Sequence, residues 1–225
     1  MRVACLVSGG KDSILAAQVV RDSGWELDSF LTLLPDAEAP MLFHKPNAQW
    51  VRLQAEAVGV PWLTERVVDD ADESPALSRL FGRLQVDGIV TGALASEYQR
   101  TRFERVAHQH RLKTFSPLWH HDPTQHLRDV RGCGLKVRFV HTAADGLDAR
   151  WLGRDLDEAA TKDLEALSIS HRINVAGEGG EYETFTQDAP LFSAKIDIQA
   201  GHPETSRDHG TYVIDEAALL SKGKS

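Results

Sequence analysis

A short stretch near the start of the chain, from Ser8 to Ser13, combines the groups that hold an anion. It reads SGGKDS, after an apolar β-prone run and before an apolar pattern with helical spacing. Gly9 and Gly10 let the backbone approach a ligand closely, and a helix that begins here presents unpaired amide groups and the positive end of its dipole. Lys11 adds a positive charge, and the two serines add hydroxyl donors. The stretch therefore predicts a site for a polyphosphate.

Asp12, inside this stretch, has the wrong charge for an anion site. A bound Mg²⁺, or a position in the first turn of a helix, would make its carboxylate favourable, so Asp12 is a candidate magnesium ligand. The alternative is a strand–turn–helix corner in which glycine serves only the turn and serine only the cap. The stretch contains neither GxxxxGKS/T nor GxGxxG, so it predicts neither a Walker A loop nor a dinucleotide fingerprint.

Two later stretches carry further candidate groups. Thr91-Gly92-Ala93 ends a predicted strand at the edge where parallel sheets bind ligands, so we expect it to shape the nucleotide pocket. A turn that needs Gly92 for geometry alone is the alternative. The loop GEGGEYET, residues 177–184, places three carboxylates around two glycines, which is repulsive unless a cation or hydrogen-bond donors lie near it. It predicts a site for Mg²⁺ or ammonium, with a solvated acidic turn as the alternative.

The composition limits the classes of function. The 225 residues carry a net charge of −8, which argues against a broad nucleic-acid surface, so no direct nucleic-acid partner is expected. The two cysteines, Cys5 and Cys133, lie far apart and form no metal-ligand spacing, as suits a reducing cytosol. No apolar stretch approaches the ~20 residues of a membrane span. We expect a cytoplasmic protein without membrane association.

Strand-like and helix-like segments alternate through the first half of the chain. This alternation predicts a doubly wound α/β domain whose parallel sheet binds ligands beyond the carboxyl ends of its strands. The predicted strands are Val3–Val7, Phe30–Leu34, Trp62–Val68, Gly88–Thr91 and Thr114–Ser116, and the predicted helices cover Ser13–Asp22, a segment capped by Asn47, a segment from Ser74, and Ser96–His110.

The pattern changes after about Asp122. A strand over Lys136–His141, a helix over Asp157–Leu167 and an antiparallel pair formed by Lys195–Ile198 and Thr211–Ile214 predict a smaller α+β lobe. We therefore predict two lobes, residues 1–122 for the nucleotide and residues 123–225 for the second substrate. The tract His120-His121-Asp122 is interpreted as a polar loop, because no further metal ligands cluster with it.

These motifs resemble a known family. SGGKDS is similar to the PP-loop of the N-type ATP pyrophosphatases, which cleave ATP between its α and β phosphates. Several other stretches resemble the diphthine–ammonia ligase family, in the right order over nearly the whole chain. They are MLFHKPN (41–47), TGALASEYQRTRFERV (91–106), SPLW (116–119), WLGR (151–154) and GEGGEYETFTQDAPLF (177–192).

The resemblance implies a HUP-like fold, with ATP and Mg²⁺ as cofactors and ammonia as a substrate. The family's reaction activates the carboxylate of diphthine, a modified histidine of translation elongation factor 2, as an acyl-adenylate, and ammonia then displaces AMP. The implied catalytic residues are Lys11, Asp12 and Ser13, and the implied ATP contacts are Ser8, Gly9, Gly10, Lys11, Asp12, Ser13, Thr91, Gly92 and Ala93. The implied substrate contacts are His44, Ser96, Tyr98, Gln99, Glu178, Gly179, Gly180, Glu181, Glu183 and Thr184.

Other functions stay open at this level. One is a PP-loop ATP pyrophosphatase that amidates a small carboxylic acid. Another is a module that binds ATP without chemistry, which would release no AMP. A tRNA thiolase or lysidine synthase is disfavoured, because the sequence has no CxxC and no basic tail. The expected partners are ATP, ammonium and elongation factor 2 carrying diphthine, and a homo-oligomer remains an open alternative.

Overall fold

A parallel sheet forms the first part of the molecule in the computed structural model, which describes residues 1–35, 47–67 and 72–223, without the side chains of Tyr98 and Gln99. Its strand order is β3-β2-β1-β4-β5, so the direction of winding reverses beside β1, and the SGGKDS loop follows β1 at that edge. The doubly wound α/β prediction is confirmed. The strands are β1 Arg2–Leu6, β2 Glu26–Pro35, β3 Trp62–Val67, β4 Gly88–Val90 and β5 Lys113–Phe115, and the helices are α1 Lys11–Asp22, α2 Val51–Val58, α3 Ser74–Phe81 and α4 Glu97–Gln109.

An antiparallel sheet forms the second part, with the order β7-β6-β9-β8. Its β8–β9 hairpin is longer than the sequence predicted. Beyond Ile198 most residues of β8 are exposed and carry no buried alternation, so only cross-strand backbone pairing extends the hairpin there. The elements are α5 Pro123–Gly132, β6 Lys136–Thr142, α6 Glu158–His171, β7 Tyr182–Asp188, β8 Ala194–Thr205 and β9 Gly210–Ser221.

The two sheets share one cluster of buried side chains. Phe30 of β2 and Val51 of α2 belong to the same cluster as Phe139 of β6, Phe185 of β7 and Ile214 of β9. A smaller cluster covers the other face of the parallel sheet, where α3 and α4 pack. The second sheet is therefore packed into the core of the first part, which lets its strands reach the ligand edge of β1.

Asn47 joins the two parts in a way that its sequence position did not reveal. We predicted it as a helix cap, but its side chain makes no capping bond to the 3₁₀ turn Ala48–Trp50. Its Oδ1 instead accepts from Ile214 N at 3.0 Å, and its Nδ2 donates to Tyr212 O at 2.9 Å. An amide group matches a strand edge, which offers one donor and one acceptor side by side. In the described parts of the chain, no helix is long and apolar enough to cross a membrane.

Candidate functional site

The SGGKDS loop turns from β1 into α1 through Gly9, whose φ of 90° lies in the left-handed region that favours glycine. A Cβ on Gly9 would lie 3.2 Å from Val51 Cγ2 in α2 and 3.3 Å from Phe185 Cδ2 in β7, so elements of both parts of the molecule enclose the turn. Gly10 caps α1 without a side-chain oxygen, and the amide groups of Asp12 and Ser13 have no hydrogen-bond partner among the described residues. Unpaired first-turn amides are the donors that an anion site needs.

Strand β7 holds this loop from the other side. Thr184 Oγ1 accepts from Lys11 N at 3.1 Å, and Thr186 N donates to Gly9 O at 2.9 Å. Gln54 Nε2 donates both to Gly9 O at 3.0 Å and to Thr186 O at 2.8 Å. Thr184, which we predicted as a substrate contact, therefore lies against the PP-loop and bonds to its backbone.

The Lys11 side chain points toward the acidic loop. Its ammonium donates to Ala176 O at 2.6 Å and to Asp12 Oδ2 at 3.0 Å, and it lies 5.1 Å from the centre of the Tyr182 ring. Tyr182 is fixed beneath it, because its hydroxyl donates to Val175 O at 2.5 Å. An ammonium has three donors, and the bonds to Ala176 and Asp12 use two of them.

Asp12 bonds on both carboxylate oxygens. His126 Nε2 lies 2.6 Å from Oδ1, and Lys11 lies at Oδ2. Burial acts to raise the pKa of Asp12, but the Lys11 charge and the His126 hydrogen bond outweigh it and hold the pKa below its usual value. Asp12 is thus an anion at neutral pH, and its side chain is 27 % exposed.

The TGALAS segment meets the same site. A Cβ on Gly92 would lie 2.6 Å from Ser13 N and 2.6 Å from the Asp12 carbonyl carbon, so only glycine lets this segment approach the start of α1. This close approach supplies a packing reason for Gly92, which was the alternative to a nucleotide role. Thr91 is buried, and its hydroxyl bonds to Ser116 Oγ at 2.9 Å, while Ala93 is half-buried.

Glu178 connects the acidic loop to the first part of the chain. Its Oε2 accepts from Ala95 N at 3.1 Å, within the TGALAS segment. Burial raises the pKa of Glu178, and the nearby negative charge of Asp12 raises it further. The Lys11 charge acts in the opposite direction and lowers the pKa of Glu178, so the carboxylates of Glu178 and Asp12 and the Lys11 ammonium influence one another here.

The other two glutamates of the loop have different surroundings. Glu181 Oε1 accepts from Asn174 N and Oε2 from Gly179 N, both at 2.8 Å, so this carboxylate fixes its own loop, in which Gly180 has a φ of 82°. Glu183 is exposed and pairs across the sheet with His141. The family resemblance implied Glu183 as a substrate contact, but β7 begins at Tyr182 and successive strand residues point to opposite faces, so Glu183 points away from the Lys11 side.

The remaining predicted substrate contacts are Ser96, Tyr98, Gln99 and His44. Ser96 precedes α4, and its carbonyl accepts from Arg100 N at 3.0 Å, as expected at the start of a helix. Tyr98 and Gln99 lie in the first turn of α4, and their side chains are outside the description. His44 lies outside the described residues. No group of three or more His, Cys, Asp or Glu side chains placed to hold a metal occurs within residues 1–35, 47–67 and 72–223.

His126 is the site residue that the sequence analysis missed. It lies in α5, where it shares a fully buried face with Leu127 and Val130. A spacing of four residues between His126 and Val130 marks it as a core position. Nothing in the sequence indicates that this face meets Asp12, because the two residues are separated by 114 positions.

Comparisons with known proteins cover most of the chain. Residues 1–114 match the diphthamide synthase N-terminal domain, and residues 122–220 match the diphthamide synthase C-terminal domain. A diphthine–ammonia ligase of Danio rerio is 34% identical over 224 residues, which cover 89% of this chain and 87% of that protein. The human diphthine–ammonia ligase is 32% identical over 224 residues, which cover 89% and 84%.

The similarity to solved structures is weaker, as one example shows. It is a predicted subunit of a tRNA methyltransferase from Methanocaldococcus jannaschii, with a TM-score of 0.49 and 13% identity. The match covers 84% of this chain and 98% of that one. A similarity at this level carries no argument about function.

Proposed function

Because the chain belongs to the diphthine–ammonia ligase family, we propose that it is an ATP-dependent ligase that converts diphthine to diphthamide with ammonia. The observation that carries this proposal is the meeting of three sequence stretches at the carboxyl edge of β1. Glu178 bonds to Ala95, Lys11 bonds to Ala176, and the Lys11 amide bonds to Thr184. A nucleotide held at SGGKDS would thus lie beside a second, acidic loop.

The proposed reaction has two displacements. In the first, an oxygen of the diphthine carboxylate forms a bond to the α-phosphorus of ATP, and the bond from that phosphorus to the bridging oxygen of pyrophosphate breaks. In the second, ammonia forms a bond to the acyl carbon, the bond to the AMP oxygen breaks, and one proton leaves the nitrogen. The products are amide, AMP and pyrophosphate.

The chain's own donors would stabilise the leaving group in the first displacement. We propose that the unpaired amides of Asp12 and Ser13, together with the Lys11 ammonium, contact the β and γ phosphates. Donors that are fixed before the reaction stabilise developing charge without reorganising. We also propose the hydroxyls of Ser8 and Ser13 and the segment Thr91–Ala93 as ATP contacts.

The residues present fit a magnesium ion together with ATP. Mg²⁺ is usually bound by one or two carboxylates plus substrate phosphates, and Asp12 offers a charged, partly exposed carboxylate beside the phosphate site. Asp12 would hold the ion, which would supply charge neutralisation on the phosphates when bound. This assignment needs no cluster of three protein ligands.

We propose that Glu178 attracts the cationic substrate, either ammonium or the trimethylammonium group of diphthine. Its charge is half-buried beside that of Asp12, and a cation would stabilise both. Gly179, Gly180 and Glu181 would shape the loop. The further proposed substrate contacts are His44, Ser96, Tyr98, Gln99 and Thr184. We assign the nucleotide to lobe 1–122, elongation factor 2 to lobe 123–225, and the reaction to the cytoplasm.

The proposed function is tested by following the protein substrate. Elongation factor 2 carrying diphthine is incubated with the protein, ATP, Mg²⁺ and ¹⁵N-labelled ammonium, and the modified histidine is analysed by mass spectrometry. We expect the ¹⁵N label in the amide, in proportion to the AMP formed. Small carboxylic acids serve as competing substrates in parallel reactions. Amidation of a small acid without amidation of the factor, or ATP binding without AMP, would contradict the proposal.

A further inference from the structure

His126 contacts the PP-loop although it lies in a different part of the chain. Its ring is completely buried, and Nε2 lies 2.6 Å from Asp12 Oδ1. A carboxylate can only accept, so Nε2 carries the proton and donates. Lys11 donates to the other oxygen at 3.0 Å. One donor on each oxygen holds the Asp12 carboxylate in a single orientation.

The start of α5 fixes the position of this ring. Asp122 Oδ1 accepts from Gln125 N at 2.9 Å, and Asp122 O accepts from His126 N at 2.8 Å. Pro123 occupies the first turn, where its restricted φ favours the helix. His126 is therefore placed in a capped first turn, with little freedom to move away from Asp12.

Packing alone does not explain a histidine at this position. Its Nδ1 is buried and has no hydrogen-bond partner in the described part of the chain. An unpaired buried polar atom costs stability, and an apolar residue beside Leu127 and Val130 would avoid that cost. The contact with Asp12 is the feature that an apolar residue could not supply.

We propose that His126 is a positioning residue for the adenylation step, acting through Asp12. The proposal rests on the proposed function of the PP-loop. With His126 present, each oxygen of the Asp12 carboxylate accepts from a different donor, and the carboxylate keeps its orientation toward the nucleotide. Without His126, the carboxylate is left with Lys11 as its hydrogen-bond donor and draws that ammonium away from the phosphates.

A double-mutant cycle of His126→Leu with Asp12→Asn tests this idea. The readouts are MgATP affinity by calorimetry and single-turnover AMP formation. We expect His126→Leu to slow AMP formation about tenfold in the parent and to have little further effect in Asp12→Asn, because groups that act as a unit are not additive. His126→Gln keeps an N–H donor near the Nε2 position and should restore the rate to within about threefold. Equal losses in both backgrounds, or equal losses for Leu and Gln, would overturn the proposal.

A matched control separates this role from the loss of any histidine. His110 Nε2 bonds to Ser78 Oγ at 2.8 Å, where α3 and α4 pack together, and has no contact with the loop. His110→Leu should leave MgATP affinity and AMP formation unchanged. If His126→Leu does not fold, His126→Asn, which is too short to reach Asp12, replaces it in the cycle.

A spectroscopic readout is independent of turnover. The His126 Nε2–H resonance is assigned in ¹⁵N-histidine spectra by its loss in His126→Gln. It should shift when MgATP is added to the parent, and its position should differ in Asp12→Asn. A resonance that responds to neither change would overturn the proposal. If the parent forms no AMP at all, the proposed function fails, while the affinity cycle and this resonance still decide whether His126 acts through Asp12.

Discussion

The SGGKDS and GEGGEYET loops are both glycine-rich and charged, yet they use backbone and side chains in opposite ways. In SGGKDS the charged side chains bond to the protein, Lys11 to Ala176 and Asp12 to His126, while the amides of Asp12 and Ser13 have no partner among the described residues. In GEGGEYET two of the three carboxylates accept from backbone amides, Glu181 from Asn174 and Gly179, and Glu178 from Ala95. The first loop offers donors to an anion, and the second is held in shape by its own acidic groups.

The number of charges in a motif therefore does not give the number available to a ligand. Three glutamates in one loop have three separate surroundings, and Glu178 is the one whose charge lies beside the PP-loop. Replacing the charged residues one at a time should therefore give a graded series of effects. The largest is expected at Lys11, which belongs to SGGKDS and contacts the acidic loop.

Lys11→Ala should have the largest effect, because Lys11 contacts both loops. The change removes the proposed donor to the phosphates and the bond to Ala176, which directly precedes the acidic loop. Loss of one such donor typically costs 10²–10³ in rate, so we expect AMP formation at saturating ATP to fall by about a hundredfold. Lys195→Ala, on an exposed position of β8, is the control and should match the parent. Near-parent activity of Lys11→Ala would remove the basis for the PP-loop assignment.

Glu178→Gln should separate activity from stability. We expect amide formation to fall about tenfold, because the half-buried charge that attracts the cation is lost. The pKa of Glu178 is higher in the folded state than its unfolded value of 4.5. The folded protein therefore loses stability as the pH rises from 4.5 through the pKa of the folded state, because the carboxylate must then be charged in a half-buried place. The Tm of Glu178→Gln should therefore equal or exceed that of the parent at pH 7, and this advantage should disappear as the pH falls below 4.5.

The control for this change is Glu216→Gln, which replaces an exposed glutamate of β9. It should alter neither amide formation nor the pH dependence of Tm. A Glu178→Gln variant that keeps full turnover, or that loses stability at pH 7, would show that Glu178 serves the fold and not the substrate.

Glu181→Gln should lower activity less than Glu178→Gln does, and should lower stability. Glutamine keeps one acceptor oxygen and places an NH₂ group against the other amide, so one of the bonds to Asn174 or Gly179 is lost. We expect Tm to fall and the KM for the acyl substrate to rise about threefold, with kcat nearly unchanged, because the loop is loosened. Thermal unfolding and steady-state kinetics check this, and a fall in kcat alone would assign Glu181 to the reaction.

Glu183→Gln should have the smallest effect in the series. Its carboxylate is exposed beside His141, on the face of β7 away from Lys11. We expect amide formation to stay within about twofold of the parent. A tenfold loss in the same assay would mean that Glu183 takes part in substrate binding as Glu178 is proposed to do. The position of Glu183 on the exposed face of β7 would then not predict its role.

The sequence predicted most of the scaffold, because a sheet buried on both faces requires apolar strands that alternate with helices. The same pattern placed SGGKDS at the carboxyl edge of β1, since that position follows from chain order alone. It could not predict His126, whose partner depends on how α5 packs against the start of α1. It could not predict that Asn47 binds β9, because a helix cap and a strand-edge contact need the same side chain.

The acidic loop was predicted less well than the PP-loop for a related reason. A turn into a helix has a backbone geometry that glycines and a first-turn aspartate indicate locally. The start of β7 at Tyr182 is set by pairing with β6, a tertiary contact, and that register alone puts Glu183 on the opposite face from Thr184.

In the proposed reaction, the protein activates a carboxylate as an acyl-adenylate before ammonia enters. Exchange of labelled pyrophosphate into ATP tests it most directly, with elongation factor 2 carrying diphthine present and ammonium left out. We expect exchange that depends on the diphthine-bearing factor and is abolished in Lys11→Ala, with no ADP formed. Formation of ADP and phosphate, or AMP formation without any exchange when ammonium is absent, would contradict it.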